Sequence, residues 1–546
     1  MSASSKKKLR KEQEAAKMTE KQLAAQQEAK KTNLYTTIFV VAMVAILVIA
    51  ITVGVAQFVT NSGIREKNTT ALTIGQHELS NAELNYYYID SVNNFYSQNG
   101  SYASLFGLDV TAPLDEQVFD ESTGETWADY FVTSAISTAK SVYALNDAAK
   151  AEGFTLPEQD AANLESIISN FNLYASLYGY TDADSYLKAM YGKGASVEGI
   201  RNYVEMSLLA EAYNAAHQDS LTYEEADLRE AEAKNPDQFS SFSYNYYYLA
   251  ASRFQEGGTV GEDGLTTYTA EEEAAAVAAA EAAAKSVVEG AATIEELDAA
   301  IDALAVNSEI TAKTTTYTDY AYASIDADLS AWLTEDGRKE GDIAVIPNNS
   351  IATAEDGTET TEILGYYIVY YLSENTNEVA LKNARHILVS FEGGTTDETG
   401  ATVYSDEEKA AAKASAEQIL ADWMAGEATE ASFGTMAHDV SDDTGSVENG
   451  GLYEDIYPGQ MVEPFEAWCF DAARKAGDTG IVETTYGYHV MYFVGDSDIT
   501  YRDYLIQQQL AEDDHNSWYS AIVDGIETTE GDTKYLTKGI VLGANG

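Results

Sequence analysis

Two histidines and an aspartate in the last third of the chain are the residues best suited to chemistry. His386 lies in the string RHILV and His489 in YGYH, both strand-like, while Asp443 lies in the acidic string SDDTGS. Each also has an ordinary interpretation, because a histidine inside a strand is more often a satisfied core residue than a catalyst. Two histidines could also indicate a metal site, but no third ligand recurs at a suitable spacing, so we reject that interpretation.

These residues belong to a longer ordered set of strings. Between residues 383 and 495 the chain reads RHILV, SFGTMAHDVSDDTGSVENGGLY, GQMVEPFEAWCF and TTYGYHVMYF, in that order. The order resembles the parvulin-type peptidyl-prolyl isomerase family, which implies an isomerase domain at 380–496. The larger arrangement resembles the secreted foldases of the PrsA and SurA type, in which a helical chaperone domain is split around parvulin modules.

The resemblance implies a role for four polar residues. The paired core histidines of the family fall on His386 and His489, which alternation along a strand would place on the same inner face. The position that is cysteine or aspartate in different parvulins falls on Asp443, whose carboxylate would set a negative field beside the reacting carbonyl. Thr484 matches a hydroxyl that joins the histidine network.

The other matched positions are apolar residues and glycines. The proline pocket maps to Met461 and Phe465, which would provide a flexible and a flat apolar wall, although alone they would be ordinary core. Gly450 and Gly451 allow a tight turn that residues with a Cβ would resist. Cys469 is the single cysteine; it excludes an intramolecular disulfide and is expected to be buried as a small apolar side chain.

The implied reaction explains why these residue types suffice. Rotation about an X–Pro amide crosses a barrier of ~18–20 kcal/mol because conjugation is broken. The two isomers differ by only ~1 kcal/mol, so a catalyst has to stabilise the twisted amide and needs neither a metal nor covalent chemistry. We therefore expect no cofactor. The chain also has no P-loop string, so we expect no nucleotide site.

A repeat precedes the isomerase domain, and we interpret residues 239–376 as a degenerate parvulin-like module. The shared landmarks are the opening strands 243–252 and 384–391, the alanine-rich helices 268–301 and 404–437, the turns 338–347 and 474–483, and the closing strands 365–374 and 487–496. In this first copy Tyr246 and Tyr367 replace the two histidines, and the SDD…GG segment is missing. The copy is therefore expected to lack the isomerase site, and its tyrosines either bind peptide or only pack.

The rest of the external chain is predicted to be mostly helical. Residues 68–238 are predicted to form a mostly helical, chaperone-like domain. Helical apolar spacing occurs at 127–152, 158–178, 182–191 and 195–217, and glycine and proline interrupt it between these stretches. Residues 498–546 are predicted to form a C-terminal tail, with a helix near 500–527 and a short strand in KGIVLGA, and this tail could fold back onto the helical domain. The predicted fold class is α+β.

Residues 34–59 contain no charged side chain and are long enough to span a ~30 Å hydrocarbon core as a helix. The preceding residues 1–33 are rich in lysine, so the positive-inside rule predicts a cytoplasmic tail and external C-terminal domains. This makes the chain a single-pass protein of the cell membrane. The alternative is a cleaved signal peptide processed near residues 54–56, although the apolar run is long for a signal core.

The charge balance of the chain restricts the kinds of molecule that it can bind. The 546 residues include 32 Lys+Arg and 89 Asp+Glu, a formal net charge of -57, which argues against nucleic acid as a partner. The acidity is better explained by solubility than by calcium binding, because no EF-hand-like loop is present.

Two functions are predicted for the chain. The leading one is a membrane-anchored isomerase and foldase for unfolded or proline-containing secreted polypeptides, and the alternative is an ATP-independent holdase whose parvulin modules serve as a scaffold.

Overall fold

The computed structural model describes residues 5–8, 10–11, 61–261, 264–304, 313–353, 359–397 and 399–542. The membrane helix predicted at 34–59 lies outside these residues, as does most of the basic tail predicted at 1–33. Over the described ranges, no helix is both long enough and apolar enough to cross a bilayer.

Many helices begin at a hydroxyl or carboxylate cap. Ser80, Thr126 and Ser405 each accept a hydrogen bond from the backbone N–H three residues later, which satisfies a donor that the first turn leaves unpaired. The α-helices from residue 61 onward are α1 Ile64–Asn68, α2 Asn81–Asn99, α3 Trp127–Glu152, α4 Glu158–Leu177, α5 Ala183–Tyr191, α6 Val197–Ser220, α7 Glu225–Lys234, α8 Ala270–Val288, α9 Ile294–Ala303, α10 Ala327–Leu333, α11 Asp406–Ala425, α12 Glu430–Val440, α13 Glu463–Cys469 and α14 Tyr501–Val523.

The strands form antiparallel sheets. In chain order they are β1 Thr70–Ile74, β2 His77–Ser80, β3 Val118–Asp120, β4 Glu125–Thr126, β5 Ser241–Ala250, β6 Thr259–Val260, β7 Thr266–Thr267, β8 Thr315–Ala321, β9 Ile343–Thr353, β10 Glu359–Asn375, β11 Ala380–Ser390, β12 Thr395–Thr396, β13 Thr402–Val403, β14 Leu452–Ile456, β15 Thr479–Glu483, β16 Gly487–Thr500 and β17 Thr528–Glu530. This mixture of helices and strands confirms the predicted α+β class.

The chain divides into two units, one of which is discontinuous. The first unit contains the residues up to 221 together with those from 514 onward, and the second contains residues 222–513. In the first unit, helices α2, α3 and α6 surround a core that includes the fully buried rings of Tyr88 and Phe131. Its three-stranded sheet has the order β17-β1-β2, so a strand from the end of the chain pairs with one from the beginning of the unit.

The strand predicted in KGIVLGA is wrong for the described residues. Residues 538–541 have no strand pairing, and the tail strand is β17, ten residues earlier. The edge of β1 is taken by β17, where Leu72 faces Glu530. Ile540 and Leu542 instead pack against the core of the first unit, and the carbonyl of Ile540 accepts a hydrogen bond from the N–H of Leu114 at 3.0 Å. The apolar residues of this string therefore indicate that the segment is buried, and they do not indicate that it pairs as a strand.

The second unit contains two four-stranded sheets of the same topology. Their orders are β8-β5-β10-β9 and β14-β11-β16-β15. Helix α8 packs on β9 and β10, while α11 and α12 pack on β11 and β16. We call residues 239–376 the first module and residues 380–496 the second module.

Matching contacts fix the correspondence between the two modules. The guanidinium carbon of Arg338 lies 3.8 Å from the ring centroid of Trp332, and that of Arg474 lies 3.9 Å from the ring centroid of Trp468. In each pair the arginine Nε also donates to the tryptophan carbonyl, at 3.1 Å and 3.0 Å. Because these contacts recur at the same relative positions, residues can be compared one by one between the modules.

Candidate active site

The central strands β11 and β16 bring the two predicted histidines together. Leu388 faces His489 across this strand pair, so His386, two residues earlier, lies on the same face of the sheet. The Nδ1 atoms of His386 and His489 are 2.9 Å apart. Both side chains are buried, with 3% and 5% exposure, so the contact is a hydrogen bond shielded from water.

Asp443 lies in the loop after α12 and completes one end of the pair. Its Oδ2 is 2.8 Å from His386 Nε2, and it also accepts hydrogen bonds from the hydroxyls of Ser446 and Tyr453. The N–H of Gly445 donates to Oδ1. The hydrogen bond from His386 is the main reason that the pKa of Asp443 lies well below its usual range. The site therefore holds a carboxylate anion.

Thr484 occupies the other end of the network. Its hydroxyl lies 2.9 Å from His489 Nε2 and accepts a hydrogen bond from the N–H of Tyr486 at 3.1 Å. Burial, reinforced by His386, lowers the pKa of His489 to about 4. Each contact is satisfied when Thr484 donates to His489, His489 Nδ1–H donates to His386, and His386 Nε2–H donates to the carboxylate.

An apolar cleft opens beside this network. The cleft has a volume of about 310 Å³, and its walls include Met461, Phe465 and Leu388 together with both histidines. The Phe465 ring meets the two imidazoles edge-on, with centroid distances of 5.4 Å and 5.5 Å. Helix α13 begins just after Met461 and turns Phe465 inward, where it is 3% exposed. The structure thus brings all six predicted site residues to one place.

Two hydroxyl groups of this network are absent from the sequence prediction. Tyr453 and Ser446 both donate to Asp443, and Tyr453 also lines the cleft. A signal for Tyr453 was present, since it lies two residues after the predicted turn at Gly450 and Gly451. Gly451 has φ +71°, and a Cβ there would lie 2.1 Å from the carbonyl oxygen of His386. The glycine therefore lets this segment pass against β11 and bring Tyr453 to the carboxylate.

Two further expectations concern the single cysteine and the possibility of a metal site. Cys469 is fully buried and free, and burial raises its pKa to about 12, so it behaves as a small apolar side chain as expected. Among the described residues, no cluster of three or more His, Cys, Asp or Glu side chains is arranged to hold a metal ion.

The first module places tyrosines where the second has histidines. Tyr246 faces Val369, and Tyr248 faces Tyr367, on β5 and β10. The same register in the second module pairs His386 with Met491 and Leu388 with His489. Tyr246 and Tyr367 therefore occupy the histidine positions, as the sequence predicted.

Comparison with known proteins identifies this site region. Residues 366–495 match the family model described as the PPIC-type PPIASE domain, and this range includes all six predicted site residues. The chain contains a PPIC-type PPIase domain. The match begins in β10, before the boundary at residue 380 that we predicted for this domain.

Two curated proteins that are similar to part of this chain are named foldases. The chain is 40% identical over 62 residues to foldase protein PrsA 1 of Listeria innocua, covering 11% of this chain and 21% of the relative. It is 32% identical over 103 residues to foldase protein PrsA 3 of Bacillus cereus, covering 17% of this chain and 35% of the relative. The alignments thus span about a fifth to a third of the length of these relatives.

A solved structure resembles a larger part of the chain at a lower level. The crystal structure of PrsA from Bacillus subtilis is 13% identical, with 84% of this chain and 91% of that chain covered and a TM-score of 0.24.

Proposed function

We propose that the second module catalyses the cis–trans isomerisation of X–Pro bonds. The observation that carries this proposal is the convergence of the Asp443–His386–His489–Thr484 network with the apolar wall formed by Phe465. An apolar wall suits a proline ring, and the adjacent polar network faces the place where the amide would lie. The match to the PPIC-type PPIase domain supports the same activity.

Catalysis would come from stabilising the twisted amide. The charge distribution of a planar amide depends on conjugation, which a polar medium strengthens, so transfer into an apolar cleft lowers the cost of rotation. The carboxylate of Asp443 adds a fixed negative charge that His386 holds in place. Each ~1.4 kcal/mol of preferential stabilisation of the twisted state corresponds to a tenfold gain in rate. No bond is made or broken, so the residues act by position and charge.

The proposed setting is outside a cell membrane. The apolar run at 34–59 would anchor the chain, the basic residues 1–33 would remain in the cytoplasm, and secreted polypeptides would be the clients. The printed names of the relatives, foldase proteins, support the assignment of folding assistance. The acidic composition favours cationic unfolded clients at low salt, an effect that is screened beyond ~8–10 Å in physiological salt.

An isomerisation assay on the full chain in detergent micelles tests the catalytic proposal. Exchange between the cis and trans forms of a proline peptide can be followed by NMR. We expect Asp443→Ala to lower kcat/KM by about 100-fold, through loss of the fixed charge. Met461→Ala should lower it by about tenfold, through loss of apolar contact.

A matched control is available within the chain. Ile325 precedes α10 in the first module as Met461 precedes α13 in the second, so Ile325→Ala should leave the rate unchanged. Equal rates for the wild type, Asp443→Ala and Met461→Ala would reject catalysis by this cleft.

A holdase activity is the second candidate, because the first unit exposes large apolar side chains. Leu105 is 79% exposed, Leu173 62%, Leu177 70% and Tyr178 65%. Exposed apolar groups of this kind can bind unfolded chains without catalysis. In that case Asp443→Ala would still suppress the aggregation of an unfolded client, while Leu173→Ser with Leu177→Ser would not. Both activities can coexist, and these two variants separate them.

A further inference from the structure

The segment between β14 and α13 forms one wall of the apolar cleft. We call residues 457–462 the cleft loop; its members Gln460, Met461 and Val462 line the cleft. The loop is neither helix nor strand, so its position has to be fixed by contacts with its neighbours. A displacement of the loop would change the shape of the cleft where the proline ring is proposed to bind.

Two hydrogen bonds close the cleft loop on itself, and a third ties it to α13. The N–H of Tyr457 donates to the side-chain oxygen of Gln460 at 3.1 Å, and the N–H of Gln460 donates to the carbonyl of Tyr457 at 3.2 Å. The N–H of Gly459 donates to a carboxylate oxygen of Glu466, in α13, at 2.7 Å. The loop is therefore a compact turn, and its orientation depends on how Tyr457 is held.

Two tyrosines of α14 hold the ring of Tyr457. Its centroid lies 4.8 Å from that of Tyr504, with the planes 20° apart, and 5.8 Å from that of Tyr501, with the planes parallel. All three rings are partly buried. Offset-stacked rings attract one another beyond the effect of burying their area. We call these three residues the tyrosine stack.

The first turn of α14, which carries two of these rings, is itself fixed by a buried arginine. The guanidinium of Arg502, which is 5% exposed, donates to the carbonyls of Thr376 at 3.1 Å and Pro236 at 2.6 Å. It also pairs with Glu232, and the N–H of Arg502 donates to the carbonyl of Asn377 at 2.7 Å. A buried charge held by several oxygens is costly to move, so the two tyrosines project from a rigid support.

The first module has a different residue at the start of the corresponding loop. Ile325 corresponds to Met461, and Ala321 precedes Ile325 by four residues as Tyr457 precedes Met461. An alanine offers no ring for stacking. The module with the histidine pair therefore has the ring, and the module without the pair does not.

Two members of the tyrosine stack lie outside the isomerase domain. The match to the PPIC-type PPIase domain ends at residue 495, and both Tyr501 and Tyr504 follow it in the chain. Tyr457 lies within the match, 38 residues before its end. The stack thus connects a loop of the domain with a helix that the domain itself does not contain.

We propose that Tyr501 and Tyr504 are positioning residues for the isomerase site: their rings hold Tyr457 and, through the cleft loop, hold Met461 against the bound proline. This inference rests on the proposed isomerase function. The walls of the cleft do not include either tyrosine of α14. They therefore act on the affinity for proline, through the loop, and not on the stabilisation of the twisted amide.

Tyr504→Ala in the full chain is the deciding variant. The probe is a capped pentapeptide of alanines with one central proline, whose affinity is measured by NMR titration and whose cis–trans exchange is measured at saturation. We expect the affinity to fall by about three- to tenfold, the contribution of a stacked ring pair. The exchange rate at saturation should stay at the wild-type value, because only binding that is common to the planar and twisted amide is lost.

Two controls distinguish stacking from a general loss of structure. Tyr504→Phe keeps the ring and should bind the peptide with wild-type affinity. Tyr322→Ala removes a partly buried tyrosine from the corresponding loop of the first module and should also leave the affinity unchanged. Wild-type affinity in Tyr504→Ala, or an equal loss in Tyr504→Phe, would overturn the inference.

The methyl signal of Met461 reports on the cleft loop directly. The chain has nine methionines, which can be labelled with ¹³C at the methyl group, and Met461→Leu assigns the signal of Met461. In Tyr504→Ala this signal should shift or broaden more than the other eight. A Met461 signal at its wild-type position, or an equal change in all nine signals, would show that Tyr504 does not act through the loop.

The same signal separates this inference from the proposed function. If the wild type isomerises no proline peptide, the catalytic proposal fails, whereas the role of the tyrosine stack is still judged by the Met461 signal and by peptide affinity. A selective change of Met461 in Tyr504→Ala together with weaker peptide binding would support the positioning role. Wild-type values of both would reject it independently of catalysis.

Discussion

The ring centroids of His386 and His489 lie 5.1 Å apart in the second module, and those of Tyr246 and Tyr367 lie 6.1 Å apart in the first. A third ring extends each pair: Tyr453 lies 5.4 Å from His386, and Tyr317 lies 5.4 Å from Tyr246. The two sheets thus hold three rings in nearly the same places.

The chemistry of the two ring clusters differs much more than their geometry. Burial, reinforced by Asp326, raises the pKa of Tyr367 to about 12, so this ring stays neutral and can only donate or accept a hydrogen bond. In the second module, one of the rings, His386, is hydrogen-bonded to the carboxylate of Asp443. Both modules hold three aromatic rings between their strands, whereas the proposed chemistry also needs the charge of Asp443, which His386 holds in place.

The largest effect is expected from making the second cluster resemble the first. His386→Tyr combined with His489→Tyr should preserve folding, because the first module shows that the sheet accepts tyrosines at these positions. Isomerase kcat/KM should fall about 100-fold or more, since Asp443 loses the donor that orients it. Circular dichroism and the NMR exchange assay measure the two outcomes.

The matched control for that variant is Tyr246→Phe with Tyr367→Phe, which should not change the rate. If the tyrosine variant of the second module folds and retains the wild-type rate, then the histidines do not support catalysis, and the contrast between the clusters has no functional meaning.

Gly451→Ala tests the close approach that brings Tyr453 to the carboxylate. We expect the free energy of unfolding to fall by about 3 kcal/mol, because the new Cβ would be strained at positive φ and would press on the His386 carbonyl. Gly459→Ala is the control: Gly459 also has positive φ, but nothing lies within 4 Å of its Cβ position. It should cost only about 1–2 kcal/mol in chemical denaturation. Equal losses would show that the carbonyl contact is unimportant.

Acid should affect the second module through His489. Its pKa is lowered to about 4 by burial, below the ordinary value of 6.5. The unfolded state therefore binds more protons between these values, so stability is full above pH ~6.5 and falls as the pH drops towards 4. The loss should be on the order of 2–3 kcal/mol.

Urea denaturation at pH 7 and pH 4.5 measures this effect, and His489→Tyr should reduce it. Activity should also decline as the pH falls through about 4, when His489 takes up a proton while Asp443 remains a carboxylate. An NMR titration that places the His489 pKa near 6.5 would contradict both expectations.

The smallest effect tests the correspondence between the modules. Arg338→Lys and Arg474→Lys each remove a guanidinium that stacks on a tryptophan and donates to its carbonyl. Each should lower the free energy of unfolding by about 1 kcal/mol, and by similar amounts. Thermal unfolding would detect a large asymmetry, which would mean that the two contacts are not equivalent.

Local signals in the sequence predicted the helices well. The helix predicted at 127–152 is α3, Trp127–Glu152, because Thr126 caps its start and Gly153 ends it in a left-handed conformation. The helix predicted at 158–178 is α4, Glu158–Leu177. Caps and breakers act within a few residues, so they can be recognised without knowing the fold.

The site was predictable where residue order determines position. His386 and His489 lie on strands whose alternation fixes which face they occupy. Ser446 was missed because its contact depends on the path of a loop. The tail strand was misplaced because apolar composition predicts burial and does not specify a pairing partner.

The pairing of β1 with β17 has a consequence for synthesis. A ribosome synthesises Thr70–Ile74 long before Thr528–Glu530. One edge of β1 therefore stays unpaired while more than 450 further residues are made. The second unit lies wholly between these strands and can reach its native state meanwhile. The sheet of the first unit is therefore completed only after residues 528–530 have been synthesised. A product truncated before them would keep the edge of β1 unpaired and exposed.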